Sequence, residues 1–130
     1  MTTIERLRLP EQLPPPISHY TDGVAVDGWI WVSGMLPLDK DGALVGGDDV
    51  VAQAVRVHEN VQAVLRSAGA DFEHVVKVTV YLRRIADRAA VNTVRQRFFG
   101  ESRPASTLVE VSNFVVPGAL VEMDAVARRG

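Results

Sequence analysis

The chain has 130 residues, a formal net charge of −2 at pH 7 and no cysteine. This length allows one domain over residues 1–130, because domains hold roughly 100–200 residues. The absence of cysteine excludes disulfides, thiolate catalysis and zinc fingers. The acidic balance argues against nucleic acid as the main partner, since phosphate binding needs a concentrated basic surface.

Membrane and export signals are also missing from the sequence. No apolar run approaches the roughly 20 residues of a membrane span. The first residues lack the apolar stretch of a signal peptide. The sequence therefore predicts a cytoplasmic protein with no membrane partner.

The N-terminal third is predicted to form an extended arm followed by strands. Residues 1–17 form the arm, because Pro10 and the three prolines at 14–16 exclude a helix. Asp27-Gly28 then separates two apolar runs, which is a strong signal for a two-residue hairpin turn. A second turn predicts a short third strand over residues 43–45.

A helix is predicted over residues 49–68, where the apolar residues fall on one stripe. Asp49 is suited to the N-cap of this helix and Gly69 to the position after its C-cap. The β-branched run over residues 75–82 predicts a largely buried strand.

A second helix is predicted from about Asp87 to Gly100, followed by strands over residues 106–111 and 120–127. The element order predicts an α/β fold in which two helices cover one face of a mixed sheet. The strands carry apolar residues at both parities, so the second face also needs a cover. Because the chain offers no further element, we expect this face to pack against other copies in a closed ring.

The sequence lacks the motifs of known metal and cofactor sites. His58-Glu59 is followed by Gln62 where a zinc-binding helix has its second histidine. The turn over residues 39–42 lacks the later ligands of a calcium loop. No nucleophile elbow, phosphate loop or dinucleotide fingerprint occurs. We therefore predict no metal and no cofactor.

Small polar groups at strand and helix ends are the remaining candidates for a site. They are Tyr20, Ser33-Gly34, Asn92, Ser106-Thr107 and Glu122, and each also fits a cap, a turn or a solvated position. Glu122 and Asp124 share one strand face, because residues two apart point the same way. This pair fits a solvated edge. At an interface between subunits, however, burial would raise a carboxyl pKa and allow proton transfer near neutral pH.

Several stretches of the chain, in order, resemble the Rid family, also called the YjgF/YER057c/UK114 or reactive intermediate deaminase family. The resemblance covers about residues 17–128. It rests on His19-Tyr20 with Gly23, Val32-Ser33-Gly34, residues 52–54 and 60–69, residues 76–81, Val91-Asn92 with Phe98-Phe99, and above all residues 103–111 and 121–127.

The resemblance implies a fold like that of the Bacillus-type chorismate mutase. It also implies a homotrimer whose sheets line a central barrel, with sites in the clefts between subunits. In the best-known branch of the family, these sites hydrolyse reactive imines and enamines to an oxo acid and ammonia without a cofactor. There an arginine binds the substrate carboxylate and a glutamate positions the attacking water.

Carried over by position, the glutamate of the family matches Glu122, its tyrosine matches Tyr20 and its Ser-Gly pair matches Ser33-Gly34. The arginine is missing, because Ser106 follows Pro104-Ala105 at its position. One neutral hydroxyl in place of a bidentate guanidinium loses a contact worth roughly 1.5–3 kcal/mol. The chain therefore resembles a divergent branch of the family.

We predict a homotrimer that hydrolyses a small enamine or imine in its clefts, with Glu122 as the water-orienting group or general acid and base. The predicted ligand-binding residues are Tyr20, Ser33, Gly34, Asn92, Ser106 and Thr107. Arg103 is a further candidate for an anion contact, although strand parity points it to the other face unless the chain bends there.

Two other functions stay open from the sequence. A non-catalytic binding or regulatory protein would use the same clefts, and the missing arginine favours it. The ribonuclease or translation-inhibitor activity attached to parts of the family would need a basic stripe that the sequence lacks.

Overall fold

A computed structural model describes residues 2–130 and shows one six-stranded mixed sheet with two helices. The strands are β1 (Glu5–Leu7), β2 (Gly23–Val26), β3 (Trp29–Met35), β4 (Val75–Leu82), β5 (Ala105–Glu110) and β6 (Val121–Arg128). The helices are α1 (Val50–Ser67) and α2 (Arg88–Phe99), and short 3-10 turns at Phe72–His74 and Ile85–Asp87 precede β4 and α2. The predicted α/β fold is confirmed.

The strand order is β1-β2-β3-β6-β4-β5, and only β4 and β5 run parallel. A parallel pair needs a crossover, which α2 supplies. The last strand, β6, lies in the middle of the sheet between β3 and β4. Because β6 has a hydrogen-bonded strand on each side, the sheet holds its backbone along both edges.

The boundaries of α1 and of the first hairpin agree with the prediction. The Asp49 carboxylate accepts hydrogen bonds from the backbone N–H groups of Val51 and Ala52, at 2.9 and 3.3 Å. At the hairpin, Asp27 and Gly28 have φ values of 52° and 81°, which a two-residue turn of this type requires. Both signals are local, so the sequence alone located them.

Two predictions for the N-terminal third need correction. Residues 43–45 form no strand, and Leu44 makes only an isolated bridge to Leu38, because Asp39 Oδ1 already binds the N–H groups of Asp41 and Ala43. The predicted arm is not separate from the sheet, since its residues 5–7 form the edge strand β1. The leucines of this segment, Leu7, Leu9 and Leu13, are buried in the core.

The two faces of the sheet differ, and we call them the covered face and the open face. The covered face packs under α1 and α2 and is formed by buried apolar side chains, among them Ile30, Val32, Val78, Val80, Leu82, Val121, Met123, Ala125 and Ala127. The open face carries the alternate residues, including Val24, Trp29, Trp31, Tyr81, Glu122, Asp124 and Val126.

Large apolar groups on the open face are accessible in the single chain. Trp31 is 53% exposed and Trp29 is 39% exposed. The prediction that a second apolar face remains without cover from within the chain is thus confirmed for the described residues. In the same part of the chain, neither helix combines the length and the apolar character needed to cross a membrane.

Candidate functional site

Four of the predicted site residues meet in one pocket beside the open face. This cavity of about 330 Å³, the Glu122 pocket, is lined by Ile17, Ser18, Tyr20, Ser33, Gly34, Leu36, Val115 and Glu122. Two central strands and the loop before β2 build it: Glu122 comes from β6, Ser33-Gly34 from β3 and Tyr20 from the loop. Four residues that the sequence predicts for one site therefore share this pocket.

A strand irregularity brings Glu122 against Gly34. The register of β3 with β6 shifts between Val32 and Met35, so Ser33 and Gly34 form a bulge there. A Cβ atom added to Gly34 would lie 2.6 Å from Oε2 of Glu122, far inside van der Waals contact. The Glu122 carboxylate can lie in this position because residue 34 has no side chain.

Ser33 holds the loop that carries Tyr20. Its hydroxyl donates to the Thr21 carbonyl at 2.6 Å, and its N–H donates to the Asp22 carbonyl at 3.0 Å. Asp22 is itself buried and binds the Arg8 guanidinium. Because the Ser33 hydroxyl proton is already engaged, this side chain can offer a ligand only a hydrogen-bond acceptor, and its bond to Thr21 holds the backbone next to Tyr20.

Glu122 is half-buried, and burial raises the pKa of its carboxyl group, with the nearby Asp124 charge as a second cause. Tyr81 donates its hydroxyl to Asp124 at 2.8 Å, and this hydrogen bond, more than burial, raises the pKa of Tyr81. No hydrogen bond within residues 2–130 engages the Glu122 carboxylate. The pocket therefore holds a carboxylate that is predisposed to take up a proton.

Other predicted residues lie at a second cavity rather than in the Glu122 pocket. This α2 cavity, about 270 Å³, is lined by Asn92, Arg95, Gln96, Phe99, Gly100, Arg103 and Pro104. Ser106 lies beside it, and its hydroxyl accepts a hydrogen bond from Arg95 Nη2 at 2.9 Å. Ser106 pairs with Val78, whose side chain lies on the covered face. The side chain of Ser106 therefore also points to the covered face, away from Glu122 on the open face.

Thr107 belongs to neither cavity. It pairs with Thr79, and its hydroxyl accepts a hydrogen bond from Lys77 Nζ at 2.6 Å. Arg103 precedes the first residue of β5, so the strand parity used in the prediction does not apply to it. Asn92, Arg103, Ser106 and Thr107 thus do not join Glu122 within one chain, and their roles remain predictions.

Sequence reasoning missed Arg95 and Tyr81. Arg95 follows Asn92 by three residues, which places both on the same side of a helix, so the helical period offered a signal. Tyr81 directly faces Glu122 across the sheet, but the register that pairs them is set by tertiary structure. No local pattern in the sequence reveals that register.

His58, the histidine of the incomplete zinc motif, lies in the core. Its Nδ1 is 2.7 Å from the Ala54 carbonyl and its ring stacks on Phe98 at a centroid distance of 5.0 Å. Burial, the dominant cause, lowers the pKa of His58 to about 4. Within residues 2–130, no three histidine or acidic side chains lie close enough together to hold a metal ion.

Comparisons with known proteins agree with this fold. Residues 10–129 match the family model described as Endoribonuclease L-PSP. The chain is 39% identical to the 3-aminoacrylate deaminase RutC of Acinetobacter baylyi, over 92% of this chain and 94% of that protein. It is 38% identical to the 2-iminobutanoate/2-iminopropanoate deaminase of Capra hircus, over 98% of this chain and 92% of that protein.

Solved structures show the same architecture. The YjgF gene product of E. coli superposes with a TM-score of 0.87 at 31% identity, covering 97% of this chain and 99% of that one. The sheet, the two helices and the carboxylate pocket therefore define a small α/β protein of the YjgF type. The chain belongs to the Rid (YjgF/UK114) family.

Proposed function

We propose that this protein is a deaminase that hydrolyses a small imine or enamine and releases ammonia. The observation that carries the proposal is Glu122, a half-buried carboxylate held against Gly34 in a pocket that also contains Tyr20. Relatives over nearly the whole chain that are named as deaminases of 3-aminoacrylate and of 2-imino acids support this reaction class.

In the proposed reaction, Glu122 acts as general base and then as general acid. The imine enters with its nitrogen protonated by solvent. The Glu122 carboxylate takes a proton from water while the water oxygen bonds to the imine carbon, which gives a neutral carbinolamine. Glu122 then returns its proton to the amine nitrogen, the carbon–nitrogen bond breaks, ammonia leaves, and the hydroxyl proton passes to solvent water as the carbonyl forms. An enamine first takes a proton on carbon and becomes the same protonated imine.

We further propose that the protein works as a homotrimer with its sites between subunits. The exposed tryptophans of the open face support self-association, because a monomer rarely exposes a large apolar patch. A closed ring would cover this face on every subunit at once. The Glu122 pocket would then lie at the boundary with a second copy.

The description of the family as an endoribonuclease does not change this proposal. The described residues that line the Glu122 pocket include no lysine or arginine. The net charge of the chain is −2. RNA binding depends on neutralising phosphates with basic side chains, so this pocket is poorly suited to an RNA strand.

The test is ammonia release from imines and enamines generated in the assay from amino acids. We expect Glu122→Gln to lower kcat by about 100-fold or more, the usual contribution of a general acid and base. Glu73→Gln, a change of the same type at an exposed residue, is the matched control and should retain wild-type kcat. If no imine is hydrolysed by the wild-type protein, or if Glu122→Gln keeps full activity, the proposal fails.

A further inference from the structure

The α2 cavity holds two positive charges without a counter-charge. Arg95 and Arg103 line it together with the amide side chains of Asn92 and Gln96. The ion pairs within residues 2–130 are Arg8–Asp22 and Arg66–Asp71, and neither involves these two arginines. A cavity lined by two guanidinium groups and two amides combines positive charge with several hydrogen-bond donors, which favours an anion as its ligand.

Arg95 is fixed in this cavity. Its Nη2 donates to Ser106 Oγ at 2.9 Å, so the serine orients the guanidinium. A guanidinium has five N–H donors and stays protonated at physiological pH, and the Ser106 bond uses one of the five. The remaining donors can form the two parallel bonds that a carboxylate accepts.

Burial lowers the pKa of Arg95, so the folded chain already bears a desolvation cost for this charge. Within the described residues, no acidic side chain offsets that cost. A bound anion would supply the missing partner. This argument separates Arg95 from the exposed arginines of the chain, such as Arg97, which water solvates.

The Glu122 pocket and the α2 cavity are complementary in charge. The first contains a carboxylate and no basic side chain, and the second contains two guanidinium groups and no acidic one, among the residues described. They lie on opposite sides of the sheet in one chain, because Ser106 and Glu122 have opposite parity. Only a second copy can bring a Glu122 pocket to an α2 cavity.

We propose that Arg95, oriented by Ser106 and assisted by Arg103, binds the carboxylate group of the substrate in place of an arginine at position 106. This inference rests on the proposed function, in which Glu122 of a neighbouring copy carries out the chemistry on the same molecule. The substrate class is thereby narrowed to small imino or enamino acids. A neutral imine would leave both guanidinium groups without a partner.

Binding of a stable oxo acid tests the arginine without any turnover. Calorimetric titration with 2-oxobutanoate should show a loss of affinity of about 10- to 100-fold in Arg95→Gln, the effect of removing a charged hydrogen-bond pair. The neutral methyl ester should bind wild-type protein and Arg95→Gln equally. Arg97→Gln, two residues along the same helix, should keep wild-type affinity for the acid.

Three outcomes of the titration would overturn the proposal: equal affinity of Arg95→Gln and wild-type protein for the acid, equal affinity of wild-type protein for acid and ester, or tighter binding of inorganic phosphate than of the acid. Retained acid binding in Glu122→Gln, together with absent turnover in the wild type, would instead contradict only the deaminase function. The two failures are therefore distinguishable.

Mixed oligomers test whether the two residues act across copies. Arg95→Gln and Glu122→Gln proteins are unfolded together, refolded and assayed. If Arg95 of one copy serves Glu122 of another, random mixing restores an intact pair in about one quarter of the sites, and activity rises well above either parent. Activity equal to the mean of the parents would show that no site combines these residues from two copies, contrary to the proposal.

Discussion

The covered and open faces of the sheet are built from alternate residues of the same strands, yet they carry different chemistry. On β6, Met123 and Ala125 are buried under the helices, while Glu122 and Asp124, which alternate with them along the strand, remain half-exposed. The covered face is apolar, and its free energy comes from removing that surface from water. The open face combines tryptophans with carboxylates. One face therefore stabilises the subunit, and the other is available for assembly and chemistry.

The largest effect on subunit stability is expected from the covered face. Leu65 on α1 is fully buried, and Leu65→Ala should lower the free energy of unfolding by about 2–5 kcal/mol through lost burial and a residual cavity. Urea denaturation measures this difference. Val51→Ala, on the exposed side of the same helix, should change stability by less than about 0.5 kcal/mol. Equal costs at the two positions would contradict the assignment of the core.

A charge on the open face should act on assembly instead. Trp31→Glu places a carboxylate in the proposed interface, so we expect sedimentation to change from trimer to monomer and ammonia release to fall by about tenfold or more. Ile85→Glu alters an equally accessible apolar side chain outside the sheet and should remain trimeric and active. A Trp31→Glu protein that stays trimeric would show that the open face is not the interface.

The pH dependence of unfolding reports on the buried His58, which lies on α1 above the covered face. Burial keeps its pKa near 4 in the folded state, below the ordinary value of 6.5, so the unfolded chain binds more protons between these two pH values. The contribution of His58 to the free energy of unfolding is therefore fully present above pH 6.5. It is lost as the pH drops towards 4, by at most about 1.4 kcal/mol per pH unit.

Replacing the ring removes this titration. We expect His58→Phe, which can pack against Phe98 as the imidazole does, to flatten the decline of unfolding free energy between pH 6.5 and 4. His19→Phe, at an exposed position, should leave the decline unchanged. Denaturation curves at half-unit pH steps provide the measurement, and identical slopes for His58→Phe and wild-type protein would contradict the expectation.

The smallest effect concerns the two carboxylates of the open face. Burial first, and the charge of Asp124 second, raise the pKa of Glu122, so the carboxylate form that the proposed reaction uses is lost as the pH falls through that raised value. Asp124→Asn should move the acid limb of kcat/KM to lower pH and increase the rate on that limb about twofold.

Tyr81→Phe is the matched control for that experiment. It removes the hydrogen bond to Asp124 and retains the charge beside Glu122, so the acid limb should not move to lower pH. A shift of the same size in both variants would assign the effect to the Tyr81 hydrogen bond rather than to the charge of Asp124.

Local signals explain what the sequence predicted. Asp49 caps a helix and Asp27-Gly28 closes a hairpin through contacts with their immediate neighbours, so these boundaries were predictable. The edge strand β1 has only three residues and is a strand because it pairs with β2. No local sequence pattern predicts that pairing. The extended segment was recognised, but its place in the sheet depended on tertiary structure.

The site divides in the same way. Tyr20 and Glu122 are predicted site residues on the basis of their positions in a family pattern, and the structure places both in one pocket. The environment of Ser106 depends on where α2 lies relative to β5, since this placement brings Arg95 to the serine hydroxyl. Ser106 departs from the family pattern in the sequence itself, whereas its partner Arg95 lies eleven residues earlier on a helix, and only the tertiary structure pairs the two.

The contact between Gly34 and the Glu122 carboxylate has a consequence for variation at this position. Any side chain at residue 34 would enter the volume that Oε2 occupies, whereas the backbone there is not in a conformation reserved for glycine. We expect a saturation library at position 34 to yield many folded proteins in which the flexible Glu122 side chain is displaced, with lower ammonia release than the glycine protein. Selection for stability would tolerate alanine there, and selection for ammonia release would return glycine.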